Sequence, residues 1–308
     1  MKLIAPDYYA SFRCIAGRCR HSCCIGWEID IDEDSLARYK ALPGPLGERL
    51  RGHIDTGEDG AHFRLGAAER CPFLNASGLC DLICEAGEEI LCQICADHPR
   101  FRSFFSDRTE IGLGLCCEEA ARLILTREEP MSLLTLEDDG ADDELWEEDE
   151  AVLSLRDELI ALAQDRRLPM LTRVEAIESR CAADAPDIAD WASFLLTLER
   201  LDSAWADHLI ALQTRPEATA MAAPRWEKPL EQLLCYLLYR HLPGALEDGL
   251  LRERALMCTL LWRAARSITA RIANATLADF HEIARMLSSE IEYSDENIAA
   301  ILDRLAQA

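Results

Sequence analysis

The sequence predicts a mainly α protein in two parts: a cysteine-rich, metal-binding N-terminal domain with little strand, followed by an α-helical domain. Three observations carry that reading. Eleven of the fourteen cysteines lie between Cys14 and Cys117, and only Cys181, Cys235 and Cys258 follow. Beyond residue 150 the apolar residues recur at three- and four-residue steps, the period of an amphipathic helix. Between the two regions, Glu137 to Glu150 holds ten acidic residues in fourteen. The expected division is a metal domain over 1–130, a solvated and mobile acidic linker over 131–150, and a helical domain over 151–308.

Composition narrows the function classes. With 49% apolar and 29% charged residues in 308, the chain has material for packed cores. Its formal net charge of −24 argues against a general nucleic-acid binder, which neutralises phosphates with clustered Lys and Arg. No apolar run reaches the roughly 18 residues of a membrane span. The start, Met1-Lys2-Leu3-Ile4-Ala5-Pro6-Asp7, lacks the apolar stretch of about 7–15 residues of a secretory leader, so a cytoplasmic location is expected.

In chain order, the first candidate element is a short extended piece over Glu28 to Asp32, where Glu-Ile-Asp-Ile-Asp alternates. Otherwise the first 130 residues show poor periodicity, as expected where metal ligation replaces part of a core. One long helix is predicted over Asp190 to Leu212, from Trp191, Phe194, Leu195, Leu198, Leu201, Trp205, Leu209 and Leu212. Asp187 or Asp190 caps it and Pro216 lies beyond its end. A second helix follows Leu230, Leu233, Leu234, Leu237, Leu238 and His241 to the stop at Pro243-Gly244. A third follows Leu256, Leu260, Ala264, Ile268 and Ile272. Thr276-Leu277-Ala278-Asp279 is a capping signal for a helix carrying Phe280, Ile283, Ala284 and Leu287. Ile298, Ile301, Leu302 and Leu305 form the last. No GxGxxG follows a strand and no GxSxG, HExxH or P-loop occurs, so a nucleotide-binding α/β domain is not expected.

The cysteine spacings are Cys14-x4-Cys19-x3-Cys23-Cys24, then Cys71-x8-Cys80-x3-Cys84-x7-Cys92-x2-Cys95, then Cys116-Cys117. A disulfide scaffold is one reading, but such scaffolds are short and secreted. In a reducing compartment, thiols this dense point to metal, and four of them complete a site for zinc or an iron–sulfur cluster. Three separate segments would have to converge. Thiolates alone do not separate the two metals. Cys92-x2-Cys95 fits half of a zinc knuckle, and the adjacent pair Cys23-Cys24 does not. His21 and His98 stand beside cysteines as candidate fourth ligands, with local hydrogen bonding as the competing role.

A resemblance goes further. Phe12-Arg13-Cys14, Cys19-Arg20-His21-Ser22-Cys23-Cys24-Ile25-Gly26-Trp27, Cys71-Pro72-Phe73-Leu74, Gly78-Leu79-Cys80, Cys95-Ala96-Asp97-His98-Pro99-Arg100 and Cys117-Glu118-Glu119-Ala120-Ala121-Arg122-Leu123 together resemble the flagellin lysine-N-methylase (FliB-type) family. The first part also resembles CxxCxxCC zinc- or iron-chelating domains. Tyr236-Leu237-Leu238-Tyr239-Arg240-His241 and Ser294-Asp295-Glu296-Asn297-Ile298 are similar to segments of the same methylases. The resemblance implies a protein-lysine N-methyltransferase that moves a methyl group from S-adenosylmethionine to lysines of flagellin, dependent on a [4Fe–4S] cluster, with zinc as the alternative metal. The implied metal-binding thiols are Cys14, Cys19, Cys23, Cys24, Cys71, Cys80, Cys95 and Cys117; Cys84, Cys92 and Cys116 fall outside the pattern. Tyr236 and Tyr239 are candidates to accept the lysine proton, with core packing as their competing role. Cys19-x3-Cys23-Cys24 departs from the CxxxCxxC loop of radical chemistry, so polar transfer is expected. The competing functions are a non-catalytic zinc- or iron-binding module that recruits a protein partner, and a redox or metal-handling protein.

Overall fold

The structure is a computed structural model that describes residues 1–57, 60–141, 143–214, 221 and 223–307. It is mainly α with small sheets. The chain divides into two compact units, 13–100 and 1–12 with 101–308. The units thus meet at 12/13 and 100/101, not at the compositional boundary near 130.

Strand β1 (Lys2–Pro6) opens the chain. Within 13–100, β2 (Asp30–Ile31) realises the alternating Glu28–Asp32 stretch. Helices α1 (Glu33–Ala41) and α2 (Gly44–Gly52) follow, then the hairpin β3 (Ile54–Gly57) and β4 (Gly60–Phe63). The sheet order is β2-β4-β3, all antiparallel. Two short helices end the unit, α3 (Asp81–Ala86) and α4 (Gln93–Asp97). Asp32 starts α1 as its cap, accepting from Ser35 N at 2.9 Å. Its other carboxylate oxygen accepts from Gln93 N at 2.8 Å, which ties α1 to the start of α4. The core is small: Ile29, Ile31, Tyr39, Leu50, Phe63, Phe73, Leu82 and Ile90, closed by Cys71 and Cys92. Phe63 joins Tyr39 and Phe73 in ring contacts at 6.0 and 5.1 Å.

The other unit contains more strand than the sequence suggested. Strands β5 (Arg100–Phe104), β6 (Arg108–Leu113) and β7 (Leu133–Asp138) join β1 in the order β5-β6-β1-β7. Strand β1 runs parallel to β6 and antiparallel to β7. The expected linker 131–150 therefore supplies an edge strand. Its acidic end supplies the first turn of a helix, where Glu147, Glu148, Asp149 and Glu150 complement the helix dipole. The helices are α5 (Glu118–Leu125), α6 (Glu147–Ala163), α7 (Met170–Arg180), α8 (Ile188–Leu195), α9 (Ser203–Thr214), α10 (Glu227–His241), α11 (Ala245–Asp248), α12 (Leu251–Thr269), α13 (Leu277–Leu287) and α14 (Asp295–Ala306).

Helices α10 and α12 form the centre of this unit, buried on nearly every side. Buried ion pairs accompany them, among them Arg173 with Glu231 at 2.8 Å, Arg263 with Glu178 at 2.7 Å, and Arg156 with Glu110. The helix predicted over Asp190 to Leu212 is two helices, α8 and α9. The break is held from outside: Glu290, in the π-helical turn Ser288–Glu292, accepts from the backbone N–H groups of Leu201 and Asp202 at 2.9 and 2.7 Å. Asp187 caps α8 and Thr276 with Asp279 forms the capping box of α13, both as predicted. Among the described residues no helix is long and apolar enough to cross a membrane.

Candidate metal centre

The thiols of unit 13–100 are organised by two backbone anchors. Cys71 N donates to Cys24 O at 2.8 Å, beside the bridge between Ile25 and Arg70. The chain then turns tightly over 74–80. Leu74 bridges to Cys80, and the Asn75 side chain accepts from Ser77 N and Leu79 N at 2.9 and 3.0 Å. Gly17 lies against this turn so closely that a Cβ there would sit 2.7 Å from Ser77 O. A side chain at position 17 would push the segment carrying Cys14 and Cys19 off the segment carrying Cys80.

Second, Cys92 caps α4, and Ala96 N donates to Cys92 O at 2.9 Å. That turn sets Cys95 over Cys92. The Cys95 thiol and backbone N–H offer their hydrogens toward the Cys92 sulfur. This hydrogen bonding outweighs burial and lowers the Cys92 thiol to about 7. Cys95, as the donor and also half-buried, is pushed far up. Cys24 behaves like Cys92. The bond from Cys23, with Ser22 and the Arg70 charge behind it, outweighs burial and lowers its thiol to about 7. Burial pushes Cys71 up to about 12, and burial also raises Cys80. Charge on Cys24 is felt at Cys71, Cys80 and Cys95, so the two segments share one electrostatic neighbourhood.

The remaining predicted ligands are placed as follows. Cys14 is exposed and its sulfur accepts from Ala16 N at 3.4 Å. Cys19 is half-buried and its thiol donates to His21 O at 3.2 Å. Cys23 is exposed, beside Cys24. Cys117 belongs to the other unit, where it caps α5. The cysteines therefore divide between the units: Cys14, Cys19, Cys23, Cys24, Cys71, Cys80 and Cys95 in one, Cys117 in the other. His98 is half-buried, its ring centroid 6.4 Å from that of Trp27, and burial followed by the Arg100 charge lowers it to about 4, so its imidazole is neutral near pH 7. All fourteen cysteines are free thiols.

The chain is similar to lysine-N-methylases of Salmonella. It is 26% identical over 134 residues to the Lysine-N-methylase of Salmonella typhimurium, a stretch that is 42% of this chain and 33% of that protein. The same figures hold for the Lysine-N-methylase of Salmonella choleraesuis. The Flagellar biosynthetic protein FliU of Salmonella muenchen is 25% identical over 137 residues, 42% of this chain and 79% of that one. The match thus spans a third of the length of the lysine-N-methylases. No family profile matches the chain, and no solved structure does.

The donor chemistry fits a soft metal: several thiols, two of them titrating near neutrality, and a neutral, half-buried imidazole in the same unit. The arrangement is not closed. Among the described residues no three His, Cys, Asp or Glu side chains are set around a common point at metal-binding geometry. The residue that sequence reasoning underweighted is Cys92. Its Cys-x2-Cys spacing to Cys95 was legible, but the position lies outside the family pattern. The two tyrosines considered as proton acceptors are core donors. Tyr236 OH donates to Glu292 at 2.7 Å and Tyr239 OH to Ile111 O at 3.2 Å, and burial raises both far above the usual range. A hollow on the helical unit, lined by Glu158, Ala161, Leu162, Asp165 and Arg167, has no aromatic wall to stack an adenine, and Arg167 is engaged by Asp165. It does not fit S-adenosylmethionine.

Proposed function

We propose that the chain is a protein-lysine N-methyltransferase that uses S-adenosylmethionine, acts on flagellin, and carries a [4Fe–4S] cluster in its cysteine-rich unit. What supports the reading is that Cys24, Cys80 and Cys95 pack on the same small apolar cluster that contains Cys71, in a chain similar to lysine-N-methylases. Those four thiols, with Cys14, Cys19 and Cys23 on adjoining segments, are the candidates to hold the metal within 13–100; Cys117 belongs to the other unit. When bound, the cluster supplies thiolate-held iron that fastens these segments; zinc is the alternative for the same role.

The reaction is polar. The neutral lysine nitrogen attacks the sulfonium methyl carbon, a nitrogen–carbon bond forms, the sulfur–carbon bond breaks toward S-adenosylhomocysteine, and the ammonium proton goes to water or a base. Free lysine titrates near 10.4, so only about one side chain in a few thousand is a nucleophile at pH 7. Desolvation and alignment of that amine are what an enzyme contributes. A surface of net charge −24 favours approach of a cationic lysine segment at low ionic strength.

The test is transfer of labelled methyl from S-adenosylmethionine to flagellin by anaerobically purified, metal-loaded protein. Label on flagellin lysines is expected. Loaded protein that binds flagellin and transfers no label overturns the enzyme and favours a metal-binding module that recruits a partner. The match to only a third of the lysine-N-methylases favours that second reading.

A further inference from the structure

We infer that Cys92 is a metal-binding thiol, clipped with Cys95 onto the same ion or cluster as Cys24 and Cys71. The inference rests on the metal reading proposed above and adds a ligand that the family pattern leaves out. Four observations support it. The Cys92 side chain is fully buried, in the same apolar cluster as Cys71, with Cys24, Cys80 and Cys95 packed on that cluster. Cys92 and Cys95 stand one helical turn apart on the same face at the start of α4. The segments are pinned by backbone: Cys71 to Cys24, and the start of α4 to Asp32. Cys95 lies within electrostatic reach of Cys92, Cys24 and Cys71, and Cys71 within reach of Cys24 and Cys92.

A Cys-x2-Cys turn is the half-site spacing that zinc knuckles and iron–sulfur clusters use. Rotation about a Cα–Cβ bond moves a cysteine sulfur without moving the backbone. The competing role for Cys92 is that of a small buried hydrophobe, which free cysteine often fills. The two roles predict opposite outcomes at this site. A packing residue tolerates valine, whereas a ligand does not.

The experiment uses the full chain, reconstituted anaerobically with ferrous iron and sulfide, and in parallel with zinc alone. Metal per chain, visible absorption and circular dichroism are read for wild type, Cys92→Val, Cys92→Ala, Cys71→Ser and Cys84→Ser. Cys84 is exposed and outside the cluster core. The expected result is a metal affinity weakened on the order of 100-fold or more in both Cys92 variants with the dichroism kept. Cys84→Ser keeps wild-type affinity. A Cys92→Val chain that loads like wild type while Cys71→Ser does not overturns the Cys92 assignment and leaves the metal reading standing. Wild type that takes up neither metal overturns both.

A second measurement needs no variant. In partly denaturing urea, zinc should shield Cys92 and Cys95 from iodoacetamide together, and leave the labelling of Cys181 unchanged. Equal labelling of Cys92 with and without bound zinc also overturns the assignment.

Discussion

At the scale of single residues, the most consequential side chain outside the thiol centre is Glu292. It is buried among Tyr236, His241, Ser288 and Arg240, with His241 Nε2 at 2.9 Å and Arg240 Nε at 3.5 Å. Burial pushes its carboxyl up, but the Arg240 charge and the His241 and Ser288 hydrogen bonds outweigh it and hold the group down at about 2. A carboxyl lowered on folding stabilises the native state fully above its ordinary range near 4.5, and loses that contribution as pH falls toward 2. The difference corresponds to about 3 kcal/mol. Glu292→Gln leaves Arg240 buried without its counter-charge and should cost about 3–5 kcal/mol at pH 7. Urea unfolding followed from pH 7 to 3 checks both statements. The wild type should lose stability on the acid side, and the variant should start lower and lose less. A variant as stable as wild type would show that Glu292 is not holding Arg240. Nothing local in the sequence announces this residue, because its partner Tyr236 is 56 positions away. The Cys92–Cys95 pair, three positions apart, was visible at once.

At the scale of elements, the same rule separates what was legible from what was not. The capping box of α13 is a four-residue signal and was read directly, as was the stop of α10 before Pro243. Strands β1, β6 and β7 were missed because their register is set by each other. Lys2 pairs with Arg108 and with Asp138, so no short window shows the sheet. The division of α8 from α9 was missed for a related reason: the apolar period continues through Leu198 and Leu201, and the carboxylate that ends it comes from Glu290. Asp32 illustrates both kinds of information. As cap of α1 it is a local signal; as acceptor for Gln93 N–H it is a long-range tie, and this second bond is the main reason its carboxyl titrates lower than usual. Asp32→Ala should therefore cost more than one cap, about 1–2 kcal/mol for α1 plus roughly 1 kcal/mol for the tie. Asp32→Asn, which keeps an oxygen for Ser35, should lose about half as much. Chemical denaturation of the metal-loaded chain, with metal content in parallel, measures this. Because the tie holds the start of α4, Asp32→Ala should also weaken metal uptake, whereas a variant that unfolds earlier but loads normally would detach Asp32 from the thiol centre.

At the scale of the whole molecule, the two units close their cores by different means. In 1–12 with 101–308 the core is aliphatic and aromatic, built on α10 and α12; Cys181, Cys235 and Cys258 are buried in it, and burial raises the pKa of each. In 13–100 about a dozen residues form the core, and two of them, Cys71 and Cys92, are thiols of the proposed metal centre. So small a core gains disproportionately from a bound metal. A ligand that binds only the folded state at a hundred times its dissociation constant stabilises that state by about 2.7 kcal/mol, which slows exchange through global opening by roughly 100-fold. Hydrogen exchange of loaded and stripped protein should therefore differ at Tyr39, Phe63, Phe73 and Ile90, and stay alike along α10 and α12. Raising the salt concentration should stabilise both units, because a net charge of −24 repels itself and ions screen it. Stripping the metal should act on 13–100 alone, which separates a ligation effect from a charge effect in one protein. If exchange along α12 accelerates as much as at Phe73 when the metal is removed, the metal is not a staple of the cysteine-rich unit but a determinant of the entire chain's stability.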